Sequence, residues 1–172
     1  LQVGRGVMDL HALGVVHGDV APSNVLLSKR GAVLIDLDDA RMRKDSGVFV
    51  DADRLRLNRF IQPPEVVRHP AVFKENIDVY QSGATLYRLL AGQWPYFDQS
   101  IEDQPMTHEE RMYAYKAFHE KGDMAFPDTV PVSVQGIIKK AMDPNPNTRY
   151  QHMYEMVSDM MDALEEPPTS PT

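Results

Sequence analysis

The chain has 172 residues, 42% apolar and 25% charged, which is the balance of a globular protein with length for one ordinary domain and its core. A net charge of −7 opposes a duplex-binding face, so nucleic acid is not an expected partner, and the absence of cysteine removes disulfides and thiolate metal sites. Apolar runs fall short of the ~18–20 residues of a membrane span and the first residues lack a signal-peptide pattern, which sets the expectation of a cytoplasmic protein with no membrane partner.

The first stretch, "LQVGRGVMDLHALG", places Val3, Val7, Leu10 and Leu13 on one helical face and offers Gly14 as a stop. It opens at Leu1 inside a helical pattern, so an upstream portion is expected. "VVHGD" reads as a short extended piece entering a loop. Residues 24–28 and 32–37 read as two strands joined at "KRG", a β-hairpin. From Asp36 to about Pro64 the chain is polar and without period, a candidate regulatory or lid segment.

Residues 76–92 are apolar nearly all round and end at Gly92, as expected of a helix buried at the centre of a domain. Residues 107–122 open with Thr107 three residues before Glu110, a capping box, and stop at Gly122; this helix should be more exposed. Two further helices are expected over 130–143 and 151–166. The second carries Met153, Met156, Val157, Met160, Met161 and Leu164 at helical spacing, read as core filling. The Pro-rich end, "EEPPTSPT", should be disordered, and Ser170-Pro171 within it reads as solvated tail.

The chemistry is concentrated in "HGDVAPSNVLLSKRGAVLIDLDDA", His17 to Ala40. Asp19 and Asn24 flank a proline-containing turn, and Asp36 follows the second strand, so a loop and a hairpin can bring an amide and two carboxylates to one edge. Oxygen ligands of this kind suit Mg²⁺, which typically takes one or two carboxylates and leaves its other positions to water and phosphates. The remaining carboxylate is then free to accept a hydroxyl proton. That division of labour fits phosphoryl transfer.

These residues resemble the C-terminal lobe of a eukaryotic-type, Ser/Thr-like protein kinase. "HGDVAPSN" is similar to the family's catalytic loop, H-R-D-L-x-x-x-x-N, and "DLD" to its metal-binding D-F-G. "QPPE" (62–65) stands in the place of A-P-E, "DVYQSGATLYRLLAGQWPYF" resembles the central helix, and "DPNPNTRY" (143–150) the stretch with the arginine that pairs with the A-P-E glutamate. The resemblance runs in order from residue 1 to about 163. It implies a mainly α lobe over 1–164, helical with a small β-hairpin carrying the catalytic and metal-binding loops, and a disordered tail over 165–172. The catalytic loop would be 17–24 and the activation segment 36–65. The implied cofactors are ATP and Mg²⁺. Asp19 would orient or deprotonate the acceptor hydroxyl of a protein substrate, while Asn24 and Asp36 would hold the metal against the nucleotide. Asp78 would anchor the catalytic loop by accepting backbone hydrogen bonds, Glu65 would pair with Arg149, and His17 and Leu37 would pack beneath the site.

Departures from the family pattern are informative. Gly18 replaces the arginine that reads an activation-segment phosphate, and residues 36–65 contain no Thr or Tyr and only Ser46, so activation by loop phosphorylation is not expected. Ala21 replaces the usual lysine, and Ser23 does not supply the arginine of tyrosine kinases. Asp38 replaces the glycine of D-F-G and adds an acidic side chain beside the metal position. No Gly-rich loop, V-A-I-K lysine or partner glutamate occurs in these residues. An N-terminal lobe is therefore absent from this chain and expected in cis or in trans, the chain alone is expected to be inactive, and its uncovered cleft face could support self-association. Three other readings stay open: a non-catalytic kinase-like module that binds proteins, a small-molecule kinase sharing H-G-D and a following asparagine, and an aspartyl phosphatase suggested by "VLIDLDDA". The phosphatase reading lacks its later motifs.

Overall fold

The computed structural model describes residues 1–42, 60–68, 74–121 and 124–165, without the side chains at 116 and 118–121. Most of the long segment after Asp36, the stop at Gly122 and the tail from 166 lie outside the described residues. Among those described, seven α-helices and two two-stranded sheets form a helix-rich molecule of the kind a kinase-like fold requires.

Helix α1 spans Gln2–Ala12 and buries Val7 and His11. Leu13 is a correction to the predicted apolar face. The helix ends one residue earlier and the chain turns through Gly14 at φ 71°, so Leu13 leaves the face and is 73% exposed. Strand β1, Val15–Val16, pairs antiparallel with β4, Arg41–Met42. The sequence reading did not find β4, because two residues cannot display a period.

The hairpin consists of β2, Val25–Ser28, and β3, Gly31–Leu34, with Ser28 opposite Gly31. Gly31 has φ 121°, and a Cβ there would clash with the Gln2 amide, whose Oε1 accepts the Ala32 N–H at 2.8 Å. This contact ties α1 to the hairpin. Strand β3 stops at Leu34, short of the predicted residue 37, because Asp36 takes φ 68° and breaks the pleat.

After α2, Pro64–Arg68, helix α3 runs from Asn76 to Ala91 and is capped by Gly92 at φ 73°. It is the buried centre of the molecule. Gly83 permits close approach of α6, Val132–Ala141, since a Cβ at 83 would lie 2.9 Å from Met142 Cγ and 3.0 Å from Ala141 Cβ. Tyr80 and Ala84 of α3 pack with Ile61, Ile138 and Met142; on the other side Val79 packs with Val7, Val20, Ile137, Met153 and Met156. Helix α7, Met153–Glu165, rests on α1 and α6 along one stripe only, so Met153 and Met156 are buried whereas Met161 and Leu164 are exposed. This narrows the methionine face predicted for the core.

Two shorter elements complete the path. Helix α4, Gln99–Glu102, starts at Asp98, whose carboxylate accepts the Ser100 N–H at 2.8 Å. Helix α5, His108–Lys121, opens with reciprocal bonds: Thr107 Oγ1 accepts the Glu110 N–H at 3.2 Å and Glu110 Oε2 accepts the Thr107 N–H at 2.7 Å. No helix of the described residues is long and apolar enough to cross a membrane.

Candidate active site

The loop 17–24 is held from below by one face of α3. Asp78 is completely buried; its Oδ2 accepts the His17 N–H at 2.9 Å and its Oδ1 the Gly18 N–H at 2.8 Å. Three residues on, Gln81 accepts the Val20 N–H at 3.0 Å and donates to the Gly18 carbonyl at 2.7 Å; one turn further, Thr85 donates to the Val20 carbonyl at 2.6 Å. Spacings of three and four residues put all three side chains on one face. A loop with buried backbone groups needs such partners, because each unmet N–H or C=O carries a desolvation cost. Gln81 and Thr85 were not singled out from the sequence. The available signal was polar residues at helical spacing with Asp78 inside an otherwise apolar helix.

His17, also buried, links the loop to the end of the hairpin. Its Nδ1 accepts the Asp19 N–H at 3.3 Å, which places the ring proton on Nε2, and Nε2 donates to the Ile35 carbonyl at 3.3 Å. Asn24 sits at the end of the 3₁₀ turn Pro22–Asn24 and directly before β2. Its Nδ2 donates to the Asp19 carbonyl at 2.9 Å and to Asp19 Oδ2 at 2.8 Å, while its own carbonyl accepts the Ile35 N–H at 2.8 Å. Because Val25 pairs with Leu34, Asn24 and Asp36 both lie just past the last rung of the hairpin, on one edge. Asp36 is exposed, and its Oδ1 accepts the Asp38 N–H at 3.1 Å.

Electrostatics converge on Asp19. Burial pushes its carboxyl above the usual carboxylate range, opposed by the Asn24 hydrogen bond and the His17 ring, and reinforced by the negative charges of Asp39 and Asp36. Asp19 Oδ1 is buried with no hydrogen-bond partner. With one oxygen held by Asn24 and the other without a partner, this carboxylate keeps a lone pair for a hydroxyl proton brought against it.

Among the described residues no three His, Cys, Asp or Glu side chains form a metal-binding group by themselves. The donor set nevertheless fits a hard cation. Asn24 gives its Nδ2 end to Asp19 and keeps an amide oxygen, Asp36 adds a carboxylate at the same edge, and Mg²⁺ takes its remaining ligands from water or phosphate.

Leu37 is a correction: it is 55% exposed rather than packed beneath the site, because the left-handed turn at Asp36 carries the chain away from the loop. Glu65 on α2 and Arg149 lie apart from this edge, where Arg149 donates to Glu65 Oε1 at 2.6 Å and to Oε2 at 2.8 Å. The arginine side chain is fully buried and its guanidinium stands 4.7 Å over the Tyr80 ring.

Comparison with known proteins gives a consistent result. The sequence profile of the family described as "Protein kinase domain" matches residues 1–163. The chain is 32% identical over 159 residues to serine/threonine-protein kinase PknB of Mycolicibacterium smegmatis, covering 88% of this chain and 23% of that protein. It is 31% identical over 166 residues to PknB of Mycobacterium tuberculosis, covering 94% and 25%. It is 29% identical over 157 residues to CBL-interacting serine/threonine-protein kinase 15 of Arabidopsis thaliana, covering 86% and 33%. The chain thus spans about a quarter of the length of the mycobacterial relatives it matches.

Proposed function

Because the chain belongs to the protein kinase domain family, we propose that it is the C-terminal lobe of a serine/threonine protein kinase that transfers the γ-phosphate of ATP, with Mg²⁺, to a protein hydroxyl. The observation that carries this reading is the Asp19–Asn24 pair held at one edge with Asp36. In this reading Asp19 receives the hydroxyl proton through its unpartnered oxygen, and Asn24 and Asp36 hold the metal. When bound, the metal neutralises the phosphate oxygens and orients the nucleotide. Asp78, Gln81 and Thr85 fix the loop so that Asp19 needs no rearrangement, while Glu65 and Arg149 hold the segment before α3 to the stretch before α7.

An N-terminal lobe, supplied in cis or in trans, would cover the nucleotide and exclude water. The 172 residues alone are then inactive, and the setting is cytoplasmic. Support for a cover comes from the hairpin, where Leu26, Val33 and Ile35 are exposed on one face beside the site. A second reading, a non-catalytic module that binds proteins, is favoured by Asp38 in the place of the D-F-G glycine and by Asp39, whose negative charge acts on Asp19. Calorimetry of the longest natural form with ATP separates the two readings. The kinase reading expects binding that requires Mg²⁺ and is lost in Asp36→Ala; metal-independent or absent binding in a folded sample supports the module.

A further inference from the structure

The anchor beneath the catalytic loop continues outward through side chains to which the proposed reaction gives no role. Besides the two loop amides, Asp78 Oδ2 accepts a hydrogen bond from His11 Nε2 at 2.8 Å, so one buried carboxylate joins α1 to the loop. The other ring nitrogen of His11 lies 4.0 Å from Glu75 Oε2. That same oxygen accepts from His152 Nδ1 at 3.1 Å. The His152 side chain is 53% exposed, stands at the start of α7 and stacks on Tyr154 with ring centroids 5.6 Å apart. A cleft of about 350 Å³ lined by Met8, His11, Glu75, His152 and Tyr154 opens over these groups.

The geometry points to His152 and Glu75 as positioning residues for the catalytic loop, acting through His11 and Asp78. The order Asp78, His11, Glu75, His152 runs from a fully buried carboxylate to the surface and touches the three elements that enclose the loop's base: α1, the start of α3 and the start of α7. Hydrogen bonds close the two outer links, and the middle one is a 4.0 Å charge contact between Glu75 and the His11 ring. His11 lies between two carboxylates, bonded to Asp78 on one side with Glu75 facing its other nitrogen, and the Glu75 oxygen that faces it is the one His152 holds. Placement of the His17 and Gly18 amides is thereby tied to a surface residue just before α7. The value of this for catalysis rests on the kinase reading, but the loop's order is measurable without turnover.

The test is amide hydrogen exchange in the chain, resolved at His17 and Gly18, with the Met142 amide as the core reference. Met142 suits this because its N–H is bonded to the Ile138 carbonyl at 2.9 Å in the buried core. His152→Leu should raise exchange at His17 and Gly18 by about twofold to fivefold, the scale of losing one partly exposed polar contact, with Met142 unchanged. His152→Asn, which retains a donor near the Nδ1 position, should restore the wild-type rates. Glu75→Ala should give the same increase, with no further change when His152→Leu is added to it. Loop rates unchanged in His152→Leu, equal acceleration at Met142, failure of the asparagine to restore them, or additive effects in the double variant would each overturn the proposal. None of these outcomes bears on whether the protein transfers phosphate, so failure of the relay and failure of the kinase reading are distinguishable.

Discussion

In the proposed kinase reading Asp19 meets two opposing demands, since it must be ionised to accept a proton and yet lies partly buried beside two other carboxylates. Burial, Asp39 and Asp36 all raise its pKa, and the Asn24 bond and His17 oppose them. Between the ordinary carboxylate value and the raised one, the native state holds a proton that the unfolded chain has lost. Stability therefore falls as pH rises through that window and levels off above it. With Asp19 as the base of the proposed reaction, the ionised form is available only above the raised value, so the acid limb of that activity should lie on the alkaline side of a normal Asp. Asp39→Asn removes one source of repulsion and should move the Asp19 titration to lower pH, as read by carboxyl ¹³C shifts on the chain. A titration that stays in place would show that Asp39 does not act on Asp19.

Helix α3 shows at the level of the element how a sequence signal can be read and still be incomplete. The run over 76–92 was legible as a buried helix with a glycine stop, and the helix occupies Asn76–Ala91 with Gly92 left-handed. What pattern reading missed is that its inner face is partly polar: Asp78, Gln81 and Thr85 hold the loop 17–24, and a bond across some 60 residues has no signature in local periodicity. The same limit hid β4, which exists only through its pairing with β1. Asp19, Asn24 and Asp36 were legible because their spacing implied oxygen chemistry, whereas Leu37 was misplaced because the backbone turn at Asp36 cannot be read from residue type. Two glycines test the packing. Gly83→Ala should destabilise the fold by about 1–3 kcal/mol, since its Cβ meets Met142 and Ala141 at the α3–α6 crossing. Gly136→Ala, in α6 with nothing within 4 Å of a Cβ, should stabilise by about 0.5–1 kcal/mol. Urea unfolding of both variants measures the pair, and equal effects would contradict the proposed crossing.

For the whole molecule, the face carrying the site edge and the hairpin decides what the chain does alone. Leu26, 55% exposed, stands there with Val33 and Ile35 on one face of the hairpin, and without a covering lobe this surface should drive self-association at high concentration. Sedimentation should show concentration-dependent assembly that Leu26→Lys reduces; a strictly monomeric chain would contradict it. The central claim, that this lobe belongs to a working kinase, is tested most directly by γ-phosphate transfer from labelled ATP with Mg²⁺ in the longest natural form, wild type beside Asp36→Ala. The account predicts transfer in the wild type and its loss in the variant. Transfer absent from both, in folded protein, would contradict it.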